Sequence, residues 1–291
     1  MDTILRVATV NILNDRSRWG ERRALLAREL AALSLDLIAL QEVTDPLGRS
    51  TAHWLADELG DYSVFVCPKA GLGRTREGVA ILSRLPVERH ETLDLGGQQR
   101  TAQLVRVRAG GRSVVVVNTH LYWLPGAQAA RVRQVERLLD WVGAIEPGAT
   151  VVVCGDFNAT PGSIAIALVK RSLTSAHEAV HGHEPEYTCP TPLISGGRIR
   201  GPVTRGLLRL FTNRPGATWR GTLDYIFVSP GVRVVDCGVV LDRPSPHDPT
   251  LYASDHLGLA ATLEITADDS SRPRFHTLGS DGVRMDGRRL R

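Results

Sequence analysis

The stretch that decides the fold of this chain is Val151-Val152-Val153-Cys154-Gly155-Asp156-Phe157-Asn158. Its apolar first half is a run of the length expected for a strand that is buried on both faces. Polar groups follow directly, at the carboxyl end of that strand. Open α/β sheets bind their ligands at this end, so the stretch predicts a buried strand that ends in functional side chains.

The same pattern occurs elsewhere in the chain. Three further apolar runs end in polar groups: Ile4–Val10 before Asn11, Leu35–Leu40 before Gln41-Glu42, and Val114–Val117 before Asn118-Thr119-His120. Two polar motifs instead precede a run: Leu223-Asp224 before Tyr225–Val228, and Ser254-Asp255-His256 before Gly258–Ile265. If these two last strands run antiparallel to the others, all six polar clusters lie at one rim of the sheets and face one pocket.

The remaining patterns place this rim in an α/β protein. Further strands are predicted at Val79–Leu82 and Leu104–Val107, and Ala109–Arg112 is a predicted hairpin turn. Helices are predicted around Leu26–Leu33 and Val132–Val142, and a third from Thr160 as N-cap with Pro161 in its first turn. Strands mixed with helices and a hairpin imply layers with mixed sheets.

The residue types at the rim indicate phosphate chemistry. Four acids, Glu42, Asp156, Asp224 and Asp255, offer the hard oxygen ligands that Mg²⁺ or Mn²⁺ prefers. His120 and His256 can donate to a phosphate oxygen, and the amides of Asn11 and Asn158 can orient it without adding charge. Carboxylates, imidazoles and amides around a hard cation are typical of phosphate-ester hydrolysis.

The ordered set of motifs resembles the endonuclease/exonuclease/phosphatase superfamily, which has a deoxyribonuclease I-like fold. The matching pieces over residues 4–265 are Asn11, Leu40-Gln41-Glu42-Val43, Gly78-Val79-Ala80-Ile81-Leu82-Ser83-Arg84, Asn118-Thr119-His120-Leu121, Gly155-Asp156-Phe157-Asn158, Leu223-Asp224-Tyr225-Ile226 and Ser254-Asp255-His256. The resemblance implies a four-layer α/β sandwich, in which two mixed β-sheets are flanked by helices.

The resemblance also implies a role for each rim residue. Glu42 is the implied principal Mg²⁺ ligand, joined by Asp255 directly or through water, and Mn²⁺ is an implied substitute. Asp156 orients or deprotonates the attacking water, or the His256–Asp224 pair is the base instead. Asn11, Asn158 and His120 hold phosphate oxygens, and the same His256–Asp224 pair stabilises the charge that develops. The chain departs from Asn-x-Asp members at Leu13, so the sequence favours one metal over two.

Substrate contacts are predicted less directly. Arg100 is either a phosphate contact or a surface arginine, while Tyr122 and Trp123 are candidates for stacking on a base. The segment Tyr187–Leu223 contains no acidic residue and carries arginines that include Arg205 and Arg209, which suggests a clamp for a polyanion. Nearby, His177, His181 and His183 are predicted to lie in a solvated loop, because their spacing matches no known zinc arrangement.

Composition sets wider limits. The chain has 291 residues, of which 43% are hydrophobic and 23% are charged, which excludes a mainly disordered or collagen-like protein. Its net charge of +4 permits an anionic substrate without demonstrating one. Its four cysteines are scattered, and its N-terminus resembles a first strand more than a secretory signal, so we expect a cytoplasmic protein. We expect one catalytic domain over residues 1–265, with an insertion loop at 187–223, and a mobile tail over residues 266–291.

These observations favour a Mg²⁺-dependent phosphodiesterase, with a nuclease acting on RNA or single-stranded DNA as the leading hypothesis. The main alternative is a phosphoinositide phosphatase or a sphingomyelinase-type lipid enzyme, for which membrane-surface contact would be expected. A different class of alternative is a catalytically dead member of the fold that binds or scaffolds. The sequence does not distinguish endonuclease from exonuclease cleavage, and it gives no oligomeric state.

Overall fold

Strands are the main regular elements of the computed structural model, which describes residues 3–45, 47–72, 76–145, 150–193 and 219–265. The strands in these residues are β1 Thr3–Asn11, β2 Leu37–Thr44, β3 Ser63–Pro68, β4 Glu77–Ser83, β5 Val87–Gly96, β6 Arg100–Ala109, β7 Arg112–His120, β8 Thr150–Asp156, β9 Thr174–Ser175, β10 Asp224–Val228, β11 Val232–Val240 and β12 Gly258–Ile265. The helices are α1 Trp19–Ala31, α2 Thr51–Leu59, α3 Gln128–Ile145, α4 Ile164–Val169 and α5 Ala176–His181.

The strands form two mixed six-stranded sheets. The first sheet has the order β11-β12-β1-β2-β4-β3 and the second the order β5-β6-β7-β8-β10-β9. Each sheet is built around one parallel pair, β1 with β2 and β7 with β8, and an antiparallel strand flanks that pair on either side. Along the chain, α1 connects β1 to β2 and α3 connects β7 to β8, because two parallel strands need a crossover connection.

Three apolar clusters stack these elements in four layers. The central cluster joins the inner faces of the sheets and includes Leu5 and Leu259 from the first sheet with Val116 and Ile226 from the second. A second cluster packs α3 and α4 on the outer face of the second sheet, and a third packs α1 and α2 on the first. The predicted fold class, a sandwich of two mixed sheets flanked by helices, is confirmed.

Polar side chains also connect the sheets. The amide of Gln41 on β2 donates to the Asn118 side-chain oxygen on β7 at 2.7 Å. The Asn118 amide in turn donates to the backbone oxygens of Leu40 and Ala80, at 2.9 Å each. Both side chains are fully buried, so this link fixes one sheet against the other at a defined position.

Two local predictions were wrong. The third helix begins at Ile164, because Ser163 is the N-cap whose hydroxyl accepts from the Ile166 amide, whereas Thr160 lies in the preceding turn. Residues 176–181, predicted as a solvated loop, form the short helix α5, whose N-cap is Ser175.

Two further predictions, the tail and the insertion loop, concern residues that the structure describes only in part or not at all. The predicted tail, 266–291, and the central part of the predicted insertion loop, 194–218, lie outside the described residues. None of the described helices combines the length and apolarity needed to cross a membrane.

Candidate active site

The sheet topology places the predicted rim residues on one edge of the sandwich. Strands β10 and β12 run antiparallel to β8 and β1, as the sequence required for a shared rim. In the second sheet Asp156 lies beside His120 on one side and Asp224 on the other. In the first, Asn11 lies beside Gln41, next to Glu42. The carboxyl ends of four strands and the starts of two therefore meet.

Asp156 is at the centre of this edge. One carboxylate oxygen accepts from the Asn11 side-chain amide at 3.0 Å, and the other accepts from the Asn158 backbone amide at 2.8 Å. The Nε2 atoms of His120 and His256 lie 3.4 Å and 4.0 Å from the first of these oxygens. Burial raises the pKa of Asp156 to about 7, with Asp224 adding to the rise and His256 opposing it.

The backbone conformation on either side of Asp156 explains why a glycine precedes it and an asparagine follows two residues later. Gly155 has φ +141°, and a Cβ at this position would lie 2.0 Å from the Thr119 carbonyl oxygen, so only glycine fits. Asn158 has φ +48°, a left-handed conformation that asparagine tolerates better than most residues. Its side-chain amide donates to the Leu121 carbonyl at 3.2 Å, which turns it back toward the end of β7.

His256 is held by Asp224 in a buried pair. The His256 Nδ1 atom donates to Asp224 Oδ2 at 2.8 Å, and the Thr188 hydroxyl donates to the same oxygen at 2.6 Å. Burial alone would lower the pKa of His256, but its contacts with Cys189 and Asp224 raise it well above the ordinary value. Because burial raises the pKa of Cys189 and so keeps it a neutral thiol, the carboxylate of Asp224 supplies the charge that retains the proton.

His120 has the opposite protonation. Burial, together with the positive charges of Arg100, Lys69 and His256, lowers the pKa of His120 well below its ordinary value. Arg100 Nη1 lies 2.9 Å from His120 Nδ1 and, since a guanidinium only donates, Nδ1 is the acceptor. The proton of the neutral ring is therefore on Nε2, which faces Asp156.

Arg100 is a buried site residue, which excludes the surface alternative. It is 4% exposed, and Nη1 also donates to Glu77 at 2.9 Å. Glu77 pairs in addition with Lys69 and accepts from the Asn14 side chain. The sequence analysis missed Glu77, although its place at the start of β4, antiparallel to β2, was an available signal.

Glu42 and Asp255 form the acidic side of the site. A register irregularity in β2 between Leu40 and Val43 and a positive φ of 59° turn Glu42 toward the rim. Its carboxylate accepts from the Asn14 backbone amide at 2.9 Å and from the Asn11 side chain at 3.3 Å. Burial, then the charges of Asp255 and Glu77, raises the pKa of Glu42.

This acidic side fits a divalent cation, since a cation would relieve the repulsion among carboxylates that raises the pKa of Glu42. Asp156, Asp224 and His256 also each offer one ligand atom, all within 4.8 Å of one another. In that set, however, a protonated His256 has no lone pair for a metal, and Asp224 Oδ2 already accepts two hydrogen bonds. Glu42 with Asp255 therefore stays the predicted ligand pair, beside this second candidate group.

A sequence profile of the Endonuclease/Exonuclease/phosphatase family matches residues 8–256, which include every one of these side chains. The chain belongs to this family. The solved fold of D. rerio TDP2, crystallised with a single-strand DNA product, matches with a TM-score of 0.70 at 18% identity, covering 89% of this chain and 98% of that one.

Curated members of the family match at the level of sequence. The mouse protein named 2',5'-phosphodiesterase 12 is 24% identical over 322 aligned positions, covering 90% of this chain and 52% of its own. Carbon catabolite repressor protein 4 homolog 4 of Arabidopsis thaliana is 30% identical over 168 positions, covering 52% of this chain and 38% of its own. The chain thus spans about half the length, or less, of these two relatives.

Two buried residues that the sequence analysis missed hold the family's site together. Arg22 on α1, with no exposed area, donates to the carbonyls of Ile12 and Ala253 at 3.0 and 3.2 Å. It thereby joins the end of β1 to the segment before Asp255. Thr188, besides its bond to Asp224, accepts from the Leu223 amide at 2.9 Å, so it fixes the entry into β10.

The predicted substrate contacts are placed only in part. Trp123 is 37% exposed, and the ring of Tyr122 lies against Gly97. Both residues directly follow Leu121, whose carbonyl accepts from the Asn158 side chain, so they lie close to the site along the chain. Arg205 and Arg209 lie outside the described residues, and their role stays a prediction.

Proposed function

We propose that this protein is a divalent-cation-dependent phosphodiesterase, and specifically a nuclease that acts on RNA or single-stranded DNA. The observation that carries the proposal is the surroundings of Asp156. A carboxylate whose pKa is raised to about 7 lies among two amides, a neutral imidazole and a protonated imidazole. Such a site offers a proton acceptor and several phosphate-binding donors within one pocket.

Each side chain has a separate task in the proposed hydrolysis. Asp156 orients the attacking water and accepts its proton, which a pKa near the working pH favours. Asn11, Asn158 and the Nε2 proton of His120 donate to phosphate oxygens. His256, kept protonated by Asp224, stabilises the negative charge that grows on the phosphorus group.

Glu42 and Asp255 would hold the cation, Mg²⁺ in the first place. When bound, such an ion polarises a phosphate oxygen and neutralises developing charge. Arg100 keeps His120 neutral and oriented through the hydrogen bond to Nδ1. Arg22 and Thr188 hold the backbone on which the reacting groups lie.

Nucleic acid is the favoured substrate class for two reasons. The names of the relatives include a 2',5'-phosphodiesterase and a protein crystallised with single-strand DNA product. Trp123 is exposed and lies three residues after His120, and an aromatic ring near a phosphate site can stack on a base.

A substrate panel tests the proposal. Purified protein with Mg²⁺ is assayed on RNA, single-stranded and double-stranded DNA, a phosphoinositide and sphingomyelin. We expect the highest kcat/KM on RNA or single-stranded DNA. Preference for a lipid substrate would instead favour the phosphoinositide phosphatase or sphingomyelinase alternative. Binding of these ligands without turnover of any would favour the dead scaffold.

The first prediction concerns Glu42 and the cation. Glu42→Gln keeps the shape of the side chain but removes its charge, so kcat/KM should fall by at least about 100-fold while the Tm changes little. EDTA should abolish activity and excess Mg²⁺ should restore it. His247→Ala, at an exposed position, is the matched control and should retain full activity. Undiminished turnover in EDTA or in Glu42→Gln would contradict the proposal.

A further inference from the structure

One lysine lies beside the active site, and the proposed hydrolysis gives it no task. Lys69 follows Pro68 at the end of β3, and its backbone amide donates to the Glu77 carbonyl at 3.0 Å. Only two of the 35 lysines and arginines in the chain are lysines, namely Lys69 and Lys170. Chemistry that is directed at lysine therefore reports on very few positions.

Lys69 shares a carboxylate oxygen with Arg100. The Lys69 ammonium pairs with Glu77 Oε1, the same oxygen that accepts from Arg100 Nη1 at 2.9 Å. The other carboxylate oxygen of Glu77 accepts from the Asn14 side chain. Two cations thus face one carboxylate, so Lys69, Arg100 and Glu77 together carry one net positive charge.

Lys69 is the member of this group that a ligand can reach. Its side chain is 19% exposed, against 5% for Arg100 and 11% for Glu77. If the ammonium turned toward a ligand, Glu77 would keep its bonds to Arg100 and Asn14. No buried carboxylate would then be left without a partner, so the surplus positive charge is available at little cost in free energy.

This charge lies beside the phosphate-binding side of the site. Arg100 Nη1 lies 2.9 Å from His120 Nδ1, and the other nitrogen of that ring lies 3.4 Å from Asp156. Burial, then the charges of Arg100 and Lys69, lowers the pKa of His120. Burial and Arg100 also lower the pKa of Lys69, and the carboxylate of Glu42 is among the charges that oppose this shift. Lys69 is therefore within electrostatic range of both His120 and the acidic side.

We propose that Lys69 binds a second phosphate of the substrate, next to the phosphate that is hydrolysed. This role rests on the proposed function and specifies what the site recognises, which is a chain of phosphates and not a single phosphodiester. A phosphate oxygen would replace Glu77 Oε1 as the partner of the ammonium, while Arg100 stays bonded to Glu77. An ammonium on a flexible stem has three rotatable donors, which suits a phosphate whose position changes from one substrate to another.

The first test compares substrates that differ by one phosphate. These are a thymidine dinucleotide with one internal phosphodiester, and the same dinucleotide with an added phosphate at its 5' or its 3' end. At one of the two ends the added phosphate should raise kcat/KM of the unmodified protein about 10-fold, and Lys69→Gln should lose this gain. Lys69→Arg keeps the charge and should retain part of the gain. Lys170→Gln, at a lysine that pairs with Glu178 and Glu184, is the matched control and should retain all of it.

Chemical modification tests the contact without turnover. The aldehyde of pyridoxal 5'-phosphate condenses with an unprotonated amine, which releases water and leaves an imine, and borohydride then reduces the imine by adding hydride. Burial lowers the pKa of Lys69, whereas the bonds to Glu178 and Glu184 outweigh burial and raise the pKa of Lys170, so we expect Lys69 to react first. In Asp156→Asn with Mg²⁺, oligothymidylate should protect Lys69 and leave the labelling of Lys170 unchanged. Peptide mass spectrometry measures both positions.

The results separate this role from the proposed function. If the unmodified protein hydrolysed no substrate, the proposed function would fail, and protection of Lys69 would still decide whether it binds phosphate. An equal loss of kcat/KM on all three dinucleotides in Lys69→Gln would mean that Lys69 only supports Glu77, and would overturn the proposal. An unchanged gain in Lys69→Gln, or labelling of Lys69 that oligothymidylate does not slow, would overturn it as well. The labelling experiment leaves Lys69 in place, so it decides the question even if Lys69→Gln does not fold.

Discussion

Asp156 and His256 lie within 4.0 Å of each other, yet their surroundings suit them to different proton chemistry. Its contacts with Cys189 and Asp224 raise the pKa of His256 well above the ordinary value, which favours the protonated imidazole near neutral pH. Asp156 has a pKa of about 7 and can gain or lose a proton in that range. These surroundings support our proposal that Asp156, and not the His256–Asp224 pair, is the base.

Replacing these two residues separates their roles. Asp156→Asn should lower kcat by about 10²–10⁴-fold and leave the Kd for substrate nearly unchanged, since the position remains but proton transfer is lost. His256→Ala should lower kcat and also weaken binding of a transition-state analogue. Single-turnover rates measure the loss of catalysis in each variant, and equilibrium binding measures the change in affinity. Near-normal kcat in Asp156→Asn would assign the base to His256 and Asp224.

The raised pKa of Asp156 has a consequence for stability. The folded protein binds a proton at Asp156 up to about pH 7, whereas the unfolded chain releases it near the ordinary value of 3.8. The free energy of unfolding therefore falls as pH rises through this window. Asn does not titrate, so in EDTA Asp156→Asn should gain stability relative to the unmodified protein by on the order of 2 kcal/mol between pH 5 and 8.

Urea unfolding of both proteins at several pH values measures this difference. His120 and His256 are present in both, so most of their contribution cancels in the comparison. A difference that is independent of pH would mean that Asp156 titrates normally in the folded state.

At the scale of single residues, the sequence predicted the groups that act at strand ends but not the residues that support them. Asn11, His120 and Asp156 follow apolar runs that identify them. Thr188 and Arg22 act through contacts between segments far apart in sequence, such as Thr188 and Asp224, which are 36 positions apart. No local pattern marks such contacts, so they become visible only when the chain is folded.

At the scale of elements, the eight predicted strands are the inner strands of the two sheets. The strands that the sequence analysis missed are β11, β3, β5 and β9, which are the four edges. Inner strands are covered on both faces and form continuous apolar runs. In contrast, β5 and β11 each have one buried residue, and their other residues are half-buried or exposed. Apolar runs in the sequence therefore predict the inner strands of a sheet but not its edge strands.

The turn from β8 into the Asp156 loop gives a prediction at this scale. Gly155→Ala should lower the free energy of unfolding by at least about 3 kcal/mol or prevent folding, because the new methyl group would overlap the Thr119 carbonyl. Gly162→Ala is the matched control, because a Cβ added at Gly162 would have no other atom within 4 Å. It should change stability by less than about 0.5 kcal/mol. Urea denaturation compares the two, and equal stability would contradict the argument.

At the scale of the whole molecule, the arginine-rich segment 187–223 leads directly into β10, the last active-site strand of the second sheet. Its described ends are paired, since Cys189 and Gly221 form a β-bridge and Arg220 stacks over the Tyr187 ring at 4.7 Å. Both ends of the segment are therefore anchored close to Asp224. The proposed clamp residues, Arg205 and Arg209, lie outside the described residues, and their contacts with nucleic acid stay a prediction.

Salt dependence tests this clamp. For single-stranded nucleic acid, log affinity should fall with log salt at a slope of roughly −0.7 per phosphate contacted. Arg205→Ala with Arg209→Ala should make the slope shallower by about 1.4 and raise KM, with hydrolysis of a small phosphodiester unchanged. Arg28→Ala with Arg49→Ala, both more than half exposed elsewhere, is the control. Loss of vesicle binding with an unaltered slope would instead indicate a membrane-facing segment.

The bond between Gln41 and Asn118 has a further consequence for how such a molecule can diversify. It fixes the two sheets against each other one residue from Glu42 and two residues from His120, so the reacting groups keep their spacing through the sandwich itself. Connecting segments that carry no residue of the site, and that hold none in place, do not contribute to that spacing. Selection can therefore lengthen, shorten or recharge them to suit a new substrate, while the chemistry is inherited unchanged.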